Sequence, residues 1–223
     1  MTTALLQTTY FGSVQWYQKL YRYDHCLIEQ YDNYQKQTFR NRCIIATANG
    51  PLALTVPTMS SGSASTDCPV SSGFAAGTDK CLLKDVRISD HNQWRRIHWN
   101  ALQSAYSESP FFDYYADDIR PFFEEKYEFL VDFNEAIRQK MCELIDIHPH
   151  VELTTHYHPS PTTHHPSPIT DLREMINAKH PLPDADFEPK RYWQVFQHKH
   201  GFLPNLSILD LLFCMGPEAV FYL

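Results

Sequence analysis

The chain has 223 residues, of which 43% are hydrophobic and 14% aromatic, and its formal net charge is -7. This composition supplies enough apolar surface for a folded core, which excludes a wholly disordered chain. The negative charge makes nucleic acid a poor partner, and no apolar run approaches the roughly 20 residues that span a bilayer.

The six dispersed cysteines, none in a C-x-x-C pair, indicate reduced thiols in a cytoplasmic compartment. The segment from Met1 to Gln7 lacks the basic and apolar regions of a secretory signal. We therefore expect a cytoplasmic protein without a membrane span.

The first quarter of the chain predicts strand, helix, strand and hairpin in turn. Residues 3–8 form the first strand, Ser13 caps a helix that ends near Tyr23, and residues 25–30 form the next strand. Two β-rich runs, 43–48 and 52–56, flank Asn49 and Gly50, a pair typical of a hairpin turn.

The middle of the chain predicts loops and helices. A mobile loop is expected over about 59–80, where Ser, Gly, Ala and Thr are abundant. Ser89 or Asp90 begins a helix that ends near Tyr106. Shorter helical structure follows from Pro110 to about residue 118, and a longer helix starts near Pro121.

The last third predicts a second loop and a terminal helix. The loop covers about 155–190, within a region rich in His and Pro. Ser207 and Asp210 have the form of a capping box, and Gly216 with Pro217 ends the helix. The whole pattern predicts one domain, 1–223, of α/β or α+β class, with a mixed sheet that contains a β-hairpin and is flanked by helices.

Residues 34–42 (YQKQTFRNR) place amides, a hydroxyl and three cations between two strand-like runs. Arg40 and Arg42 would share one face of a strand, where two guanidinium groups could clamp a diphosphate or a carboxylate. The alternatives are a solvated basic loop and a structural ion pair with an acid such as Asp85 or Asp90.

Other polar residues have two readings each. His98, on an apolar helical face, is either a general base or a buried, hydrogen-bonded histidine. Asn205 precedes the terminal helix, whose free N–H groups could bind an anion or could simply be capped. Six histidines in one region could indicate a zinc site or a loop that is rich in His: His148, His150, His156, His158, His164 and His165. We expect the loop and no metal site, because no carboxylate or Cys at ligand spacing completes a ligand set.

Three blocks, 35–57 (QKQTFRNRCIIATANGPLALTVP), 94–115 (WRRIHWNALQSAYSESPFFDYY) and 202–223 (FLPNLSILDLLFCMGPEAVFYL), resemble the bacterial WbqC-like family. Residues 7–11 correspond more loosely. Because members resemble proteins encoded in O-antigen and other surface-polysaccharide gene clusters, the resemblance implies a cytoplasmic transferase. Its substrate would be an anionic small molecule, either a nucleotide-activated sugar or an acyl or aminoacyl donor.

The resemblance leaves the cofactor and the oligomeric state unknown. The alternative is a non-catalytic module that binds a nucleotide sugar or a partner protein of the same pathway. Many relatives begin with a block like His-Gln-Pro-Asn-Tyr-Leu-Pro-Trp, in which this chain has Leu6 for the His and Thr8 for the first Pro. A histidine that is catalytic in relatives would therefore be missing here.

A shared chemistry would then depend on the remaining polar residues. Gln7 and Tyr10 would line the site, and His98 would accept a proton, with Tyr10 as the second catalytic candidate. The donor would be held by four residues: Arg40, Asn41, Arg42 and Asn205. Substitution Arg40→Ala is expected to weaken donor binding without unfolding the protein.

Overall fold

Parallel strands dominate the computed structural model, which describes residues 2–59, 81–159, 169–178 and 181–223. The strands are β1 (Thr3–Gln7), β2 (His25–Glu29), β3 (Arg42–Thr47), β4 (Gly50–Thr55), β5 (Val151–Leu153) and β6 (Ile169–Asp171). The helices are α1 (Val14–Arg22), α2 (Trp94–Tyr106), α3 (Phe112–Ile119), α4 (Pro121–Glu124), α5 (Leu130–Leu144), α6 (Gln197–His200) and α7 (Ile208–Met215). Short 3-10 turns cover Leu83–Asp85, His91–Gln93 and Gly216–Tyr222.

In the described part of the chain, four strands form a sheet in the order β5-β2-β1-β6, and every neighbouring pair is parallel. Strand β1 is buried along its whole length, as expected for the centre of a parallel sheet. The chain moves from β1 to β2 on one side and later returns to β6 on the other side of β1. The gap between β1 and β6 is therefore the topological switch point of the sheet.

The predicted hairpin is confirmed. Strands β3 and β4 pair antiparallel, with Thr47 opposite Gly50. Gly50 has φ +105°, a conformation that glycine adopts without steric cost. The parallel sheet, the hairpin and the helices together confirm the predicted α/β class.

The helix predicted to start near Pro121 is interrupted. Helix α4 ends at Glu124, and α5 begins only at Leu130. The intervening residues are extended because they pair with another segment: Ile88 N donates to Glu128 O at 2.9 Å, and Leu130 N donates to Val86 O at 2.9 Å. A tertiary contact therefore overrides the helical pattern of the sequence.

Strand β6 lies within the range 155–190 for which a loop is predicted, and it pairs with β1. Most of the predicted loop at 59–80, together with residues 160–168 and 179–180, lies outside the described residues. No helix among the residues described is both long enough and apolar enough to cross a membrane.

Helix α7 is central to the hydrophobic core. Ser207 caps it as predicted, because its Oγ accepts from Leu209 N at 3.3 Å. The reciprocal role predicted for Asp210 is wrong. Its buried carboxylate accepts instead from Tyr106 Oη at 2.7 Å, Tyr192 Oη at 2.6 Å and Gln194 Nε2 at 3.0 Å. Burial raises the pKa of Asp210, and these hydrogen bonds act against that rise.

Candidate functional site

Charged side chains gather where the parallel strands end. We call this group the edge cluster: Glu29, Asp32, Arg40, Asp171 and Arg173. Glu29 is the last residue of β2 and Asp171 the last of β6, so both belong to the carboxyl edge of the sheet. Ligands of open α/β sheets bind outside this edge, at the switch point. The edge cluster is therefore the candidate site.

Glu29 anchors the loops that leave β2 and β5. Its side chain is only 1% exposed. Oε1 accepts from Tyr31 N and Thr154 Oγ1, both at 2.8 Å, and Oε2 accepts from His158 N at 3.0 Å. Arg173 Nη1 lies 3.4 Å from Oε2. Because both oxygens already have these partners, Glu29 serves as a support for the site.

Arg173 joins β6 to this support. Its guanidinium donates two hydrogen bonds to Asp171, from Nε to Oδ1 at 3.0 Å and from Nη2 to Oδ2 at 2.7 Å. It also lies over the Tyr157 ring. Burial lowers the pKa of Arg173, but the hydrogen bonds and charge of Asp171, with the charge of Glu29, raise it above its usual value overall. The guanidinium is thus a fixed positive charge at the edge.

Arg40 is the more unusual member, because it is 1% exposed and only partly paired. Nη2 donates to Asp32 Oδ2 at 2.9 Å, whereas Nε has no hydrogen-bond partner among the described residues. Burial lowers the pKa of Arg40, and the negative charges of Asp32 and Glu174 act in the opposite direction. An acid pair was one of the two expectations for Arg40, although the partner is Asp32 and not Asp85 or Asp90.

Arg40 lies in a turn before β3, so the prediction that Arg40 and Arg42 share a strand face is wrong. Arg42 begins β3, and its Nε donates to Thr55 Oγ1 at 3.0 Å. Asn41 Nδ2 donates to Val56 O at 2.9 Å, which ties the base of the hairpin together. Within the predicted Arg-Asn-Arg set, only the Arg40 side chain belongs to the edge cluster.

Gln7 is the last residue of β1, at the carboxyl edge of the sheet. It pairs with Glu29 across the β1–β2 ladder. Its Nε2 donates to Ile176 O at 2.5 Å, and its backbone O accepts from Trp16 Nε1 at 2.9 Å. Gln7 therefore connects β1 to the segment that follows β6, directly across the switch point.

Tyr10 and His98 form a pair in the aromatic core. Tyr10 Oη lies 2.9 Å from His98 Nδ1, and the two side chains are 0% and 4% exposed. The rings of Trp94, Phe123 and Phe133 pack around them. Burial lowers the pKa of His98 to about 4, so the imidazole is neutral at neutral pH. This environment matches the expectation of a buried, hydrogen-bonded histidine.

Asn205 caps a different helix from the one expected. Its Oδ1 accepts from Gln15 N at 2.9 Å, and its Nδ2 donates to Gln15 Oε1 at 3.0 Å. Leu206 O accepts from Val14 N at 2.9 Å. Since the chain itself satisfies these N–H groups, the start of α1 does not offer them to a phosphate.

The histidine-rich region divides into separate contacts. His148 lies 3.3 Å from Asp146, and His156 stacks on His158. His150 lies beside Glu152 and His25. His164 and His165 lie outside the described residues.

The amino-acid sequence was compared with known protein families and proteins. A model of the WbqC-like protein family matches residues 7–183, which include the residues of the edge cluster. This protein belongs to the WbqC-like family. The WbqC-like chain is also 25% identical over 238 residues to the uncharacterized protein Rv1507c of Mycobacterium tuberculosis, an alignment that covers 99% of this chain and 96% of that protein. No solved structure matches the WbqC-like chain described here.

Sequence reasoning missed four members of the edge cluster: Glu29, Asp32, Asp171 and Arg173. Glu29 was detectable, since it is an acid at the end of a predicted buried strand, where α/β proteins place ligand-binding residues. Asp171 and Arg173, at and just after the end of β6, were hidden because β6 has three residues and lies within a predicted loop. Their proximity to Glu29 depends on the strand order.

Proposed function

We propose that the edge cluster binds the activated donor of a group-transfer reaction, either a nucleotide sugar or an acyl or aminoacyl donor. The protein would act as a transferase in surface-polysaccharide biosynthesis, as the family resemblance implies. The observation that supports this proposal is the buried Nε of Arg40, which lacks an acceptor among the described residues.

A buried donor on a charged group is costly to leave unpaired. Asp32 accepts from one nitrogen of the Arg40 fork, and Nε remains available for a phosphate or carboxylate oxygen. Arginine suits such ligands because its planar fork matches their oxygens. Electrostatic interactions of Arg40 with Glu174 and Arg173 connect this donor to the carboxyl edge of the sheet.

The acids of the edge cluster add a group that could accept a proton. Three carboxylates and two guanidinium groups do not make a strongly basic surface, so donor binding would depend on directed hydrogen bonds. The Asp32 side chain is 17% exposed and stands beside Arg40. In a transferase, Asp32 would accept the proton of an attacking hydroxyl or amine while the nucleotide or thiol of the donor leaves with the bonding electron pair.

The test is donor binding by the variant Arg40→Lys, which keeps the charge and removes the fork. Isothermal titration with UDP-glucose, acetyl-CoA and pyrophosphate should detect one class of ligand for the wild type. The variant should bind that ligand roughly ten- to a hundredfold more weakly, because a charge-assisted hydrogen bond contributes about 1.5–3 kcal/mol. Unchanged affinity in a folded Arg40→Lys protein would contradict the proposal.

The expectation that Arg40→Ala leaves the protein folded is revised by burial. Removing Arg40 would leave the Asp32 carboxylate without its ion-pair partner and beside a cavity. Breaking a buried ion pair costs about 3–5 kcal/mol. Arg120→Lys is the matched control because Arg120 is 55% exposed and pairs with Glu124 within the helical region. It should bind the same ligand as tightly as the wild type.

The burial of His98 and Tyr10 favours the second candidate, a non-catalytic module that binds the same donor. Burial lowers the pKa of His98 to about 4, so its imidazole is too weak a base to take a proton efficiently at neutral pH. Mass spectrometry of donor incubated with the protein and with sugar or amine acceptors separates the two candidates. Donor binding without any transferred product supports the module, whereas a product that is lost in Asp32→Asn supports the transferase.

A further inference from the structure

Three metal-ligating side chains meet at the opposite end of the sheet from the edge cluster. His25 Nε2 lies 3.6 Å from Glu152 Oε2, and His150 Nε2 lies 3.5 Å from Glu152 Oε1. The imidazole rings of His25 and His150 stack with their centroids 4.5 Å apart. All three donor atoms lie within 4.8 Å of one another.

The strand register explains why these residues meet. Cys26 pairs with Val151, so His25 and His150 are neighbours across the ladder, and Cys26 N donates to His150 O at 2.9 Å. Side chains two positions apart in a strand point to the same face. Glu152 is therefore the carboxylate at ligand spacing from His150 that inspection of the sequence overlooked, and His25 is added by the fold.

The contacts within the group are incomplete without a further atom. His25 Nε2 is buried and has no hydrogen-bond partner in the described part of the structure, because Glu152 is close but beyond hydrogen-bonding distance. In a tetrahedral zinc site with bonds of about 2.0–2.2 Å, ligand atoms lie about 3.3 Å apart. The two histidine–glutamate distances are close to that value but end on different oxygens of Glu152, and rotation of the exposed His150 and Glu152 side chains would bring one oxygen to both histidines.

We propose that His25, His150 and Glu152 bind one zinc ion. Two imidazole nitrogens favour a borderline-soft divalent ion such as zinc over magnesium or calcium, which prefer oxygen ligands. Two histidines and one glutamate, with the fourth position open, form a known zinc ligand set. The exposed side chains, 67% for His150 and 58% for Glu152, give the ion a path from solvent.

The ion would hold β5 against β2. Strand β5 has three residues and occupies the end of the strand order, so few ladder hydrogen bonds retain it. His25 and Glu29 are at opposite ends of β2, and four residue steps along a strand span about 13 Å. Zinc would therefore stabilise the sheet without contacting a donor at the carboxyl edge.

The experiment is titration of the chelator-treated full chain with zinc chloride by calorimetry, repeated with cobalt(II) chloride and visible absorption. The wild type should bind one zinc ion per chain in competition with cobalt. His150→Gln and Glu152→Gln should each weaken zinc affinity by at least on the order of tenfold. Both side chains are exposed, so the metal-free variants should keep the thermal midpoint of the metal-free wild type.

Two histidine variants serve as controls. His148→Gln changes an 85% exposed neighbour outside the proposed ligand set, and His156→Gln changes the separate stacked pair. Both should bind zinc like the wild type. The proposal is overturned if the wild type binds no zinc, if His150→Gln and Glu152→Gln bind it unchanged, or if His156→Gln alone abolishes binding.

Discussion

Burial decides what each polar side chain of this protein can do. Arg40 stays charged inside the protein because the ordinary pKa of arginine is far above neutral, and Asp32 and Glu174 limit the lowering of that pKa by burial. His98 has Tyr10 as its side-chain partner, and burial lowers its pKa to about 4. One residue is therefore suited to bind an anion, and the other is held as a neutral core residue.

The first prediction concerns acid stability. Between pH 6.5 and 4, unfolded His98 binds a proton and the folded residue does not, so stability falls as the pH falls. With a folded pKa of about 4, this group should cost about 2–3 kcal/mol between pH 7.5 and 4.5. Urea denaturation at both pH values measures the change in the free energy of unfolding.

His98→Gln is the comparison for this prediction, because glutamine can still hydrogen-bond Tyr10 and does not titrate. The variant should be less stable than the wild type at pH 7.5 but should lose about 2–3 kcal/mol less on acidification. Carboxylates titrate in both proteins and cancel in the comparison. Equal losses in the two proteins would show that His98 is not held neutral.

At the scale of elements, the second prediction concerns the end of α7. Gly216 has φ +55°, and a Cβ atom there would lie 2.6 Å from Phe111 Cδ1. Gly216→Ala should therefore be destabilised by the left-handed backbone, about 1 kcal/mol, and by overpacking, typically about 1–3 kcal/mol. The midpoint of chemical denaturation provides the measurement.

Gly50→Ala is the matched control because Gly50 also has a positive φ but has no atom within 4 Å of the added Cβ. It should show only the backbone cost, about 1 kcal/mol. The double substitution Gly216→Ala with Phe111→Leu should recover part of the loss relative to the sum of the single effects. A Gly216→Ala cost no larger than that of Gly50→Ala would rule out the ring contact.

Local signals predicted the elements that local chemistry specifies. The Asn49-Gly50 turn placed the hairpin, and the Gly216-Pro217 pair marked the end of α7. A short strand is predicted at 151–154 and is confirmed as β5, whereas β6 has three residues, too few for a periodic pattern, and its neighbour in the sheet stabilises it. The break before α5 was also unpredictable, because it depends on pairing with a segment some 40 residues earlier in the chain.

At the scale of the whole molecule, the candidate site exists only because distant segments meet. Arg173 and Glu29 are 144 positions apart, and no local pattern relates them. Gln7 and Arg40 were predicted from family blocks and do lie at the carboxyl edge or within the edge cluster. The proposed contributions of Tyr10, Asn41, Arg42, His98 and Asn205 stay predictions, and their contacts in the structure are with the core, the hairpin and α1.

The third prediction concerns the region beyond the family match, which ends at residue 183. Leu209, Leu211, Leu212 and Phe213 of α7 are each 0% exposed. Their burial contributes together about 6–12 kcal/mol, which is comparable to the total stability of a domain. A chain that stops at residue 183 should therefore show no cooperative thermal transition by calorimetry.

Leu212→Ala in the full chain is the control for this truncation. It removes one buried side chain and should cost about 2–5 kcal/mol while the cooperative transition remains. Native near-ultraviolet circular dichroism in the truncated chain would contradict the prediction, since it would show that the core forms without α7.

The cap that Asn205 places on α1 has a consequence for synthesis in the cell. The two residues joined by that hydrogen bond are 190 positions apart, so α1 is capped by a residue that is synthesised long after the helix itself. During translation, the emerging N-terminal half would hold an uncapped helix and unpaired strand edges, which favour association with other chains. A chain that stops before residue 205 should therefore associate with other chains more readily than the chain of 223 residues.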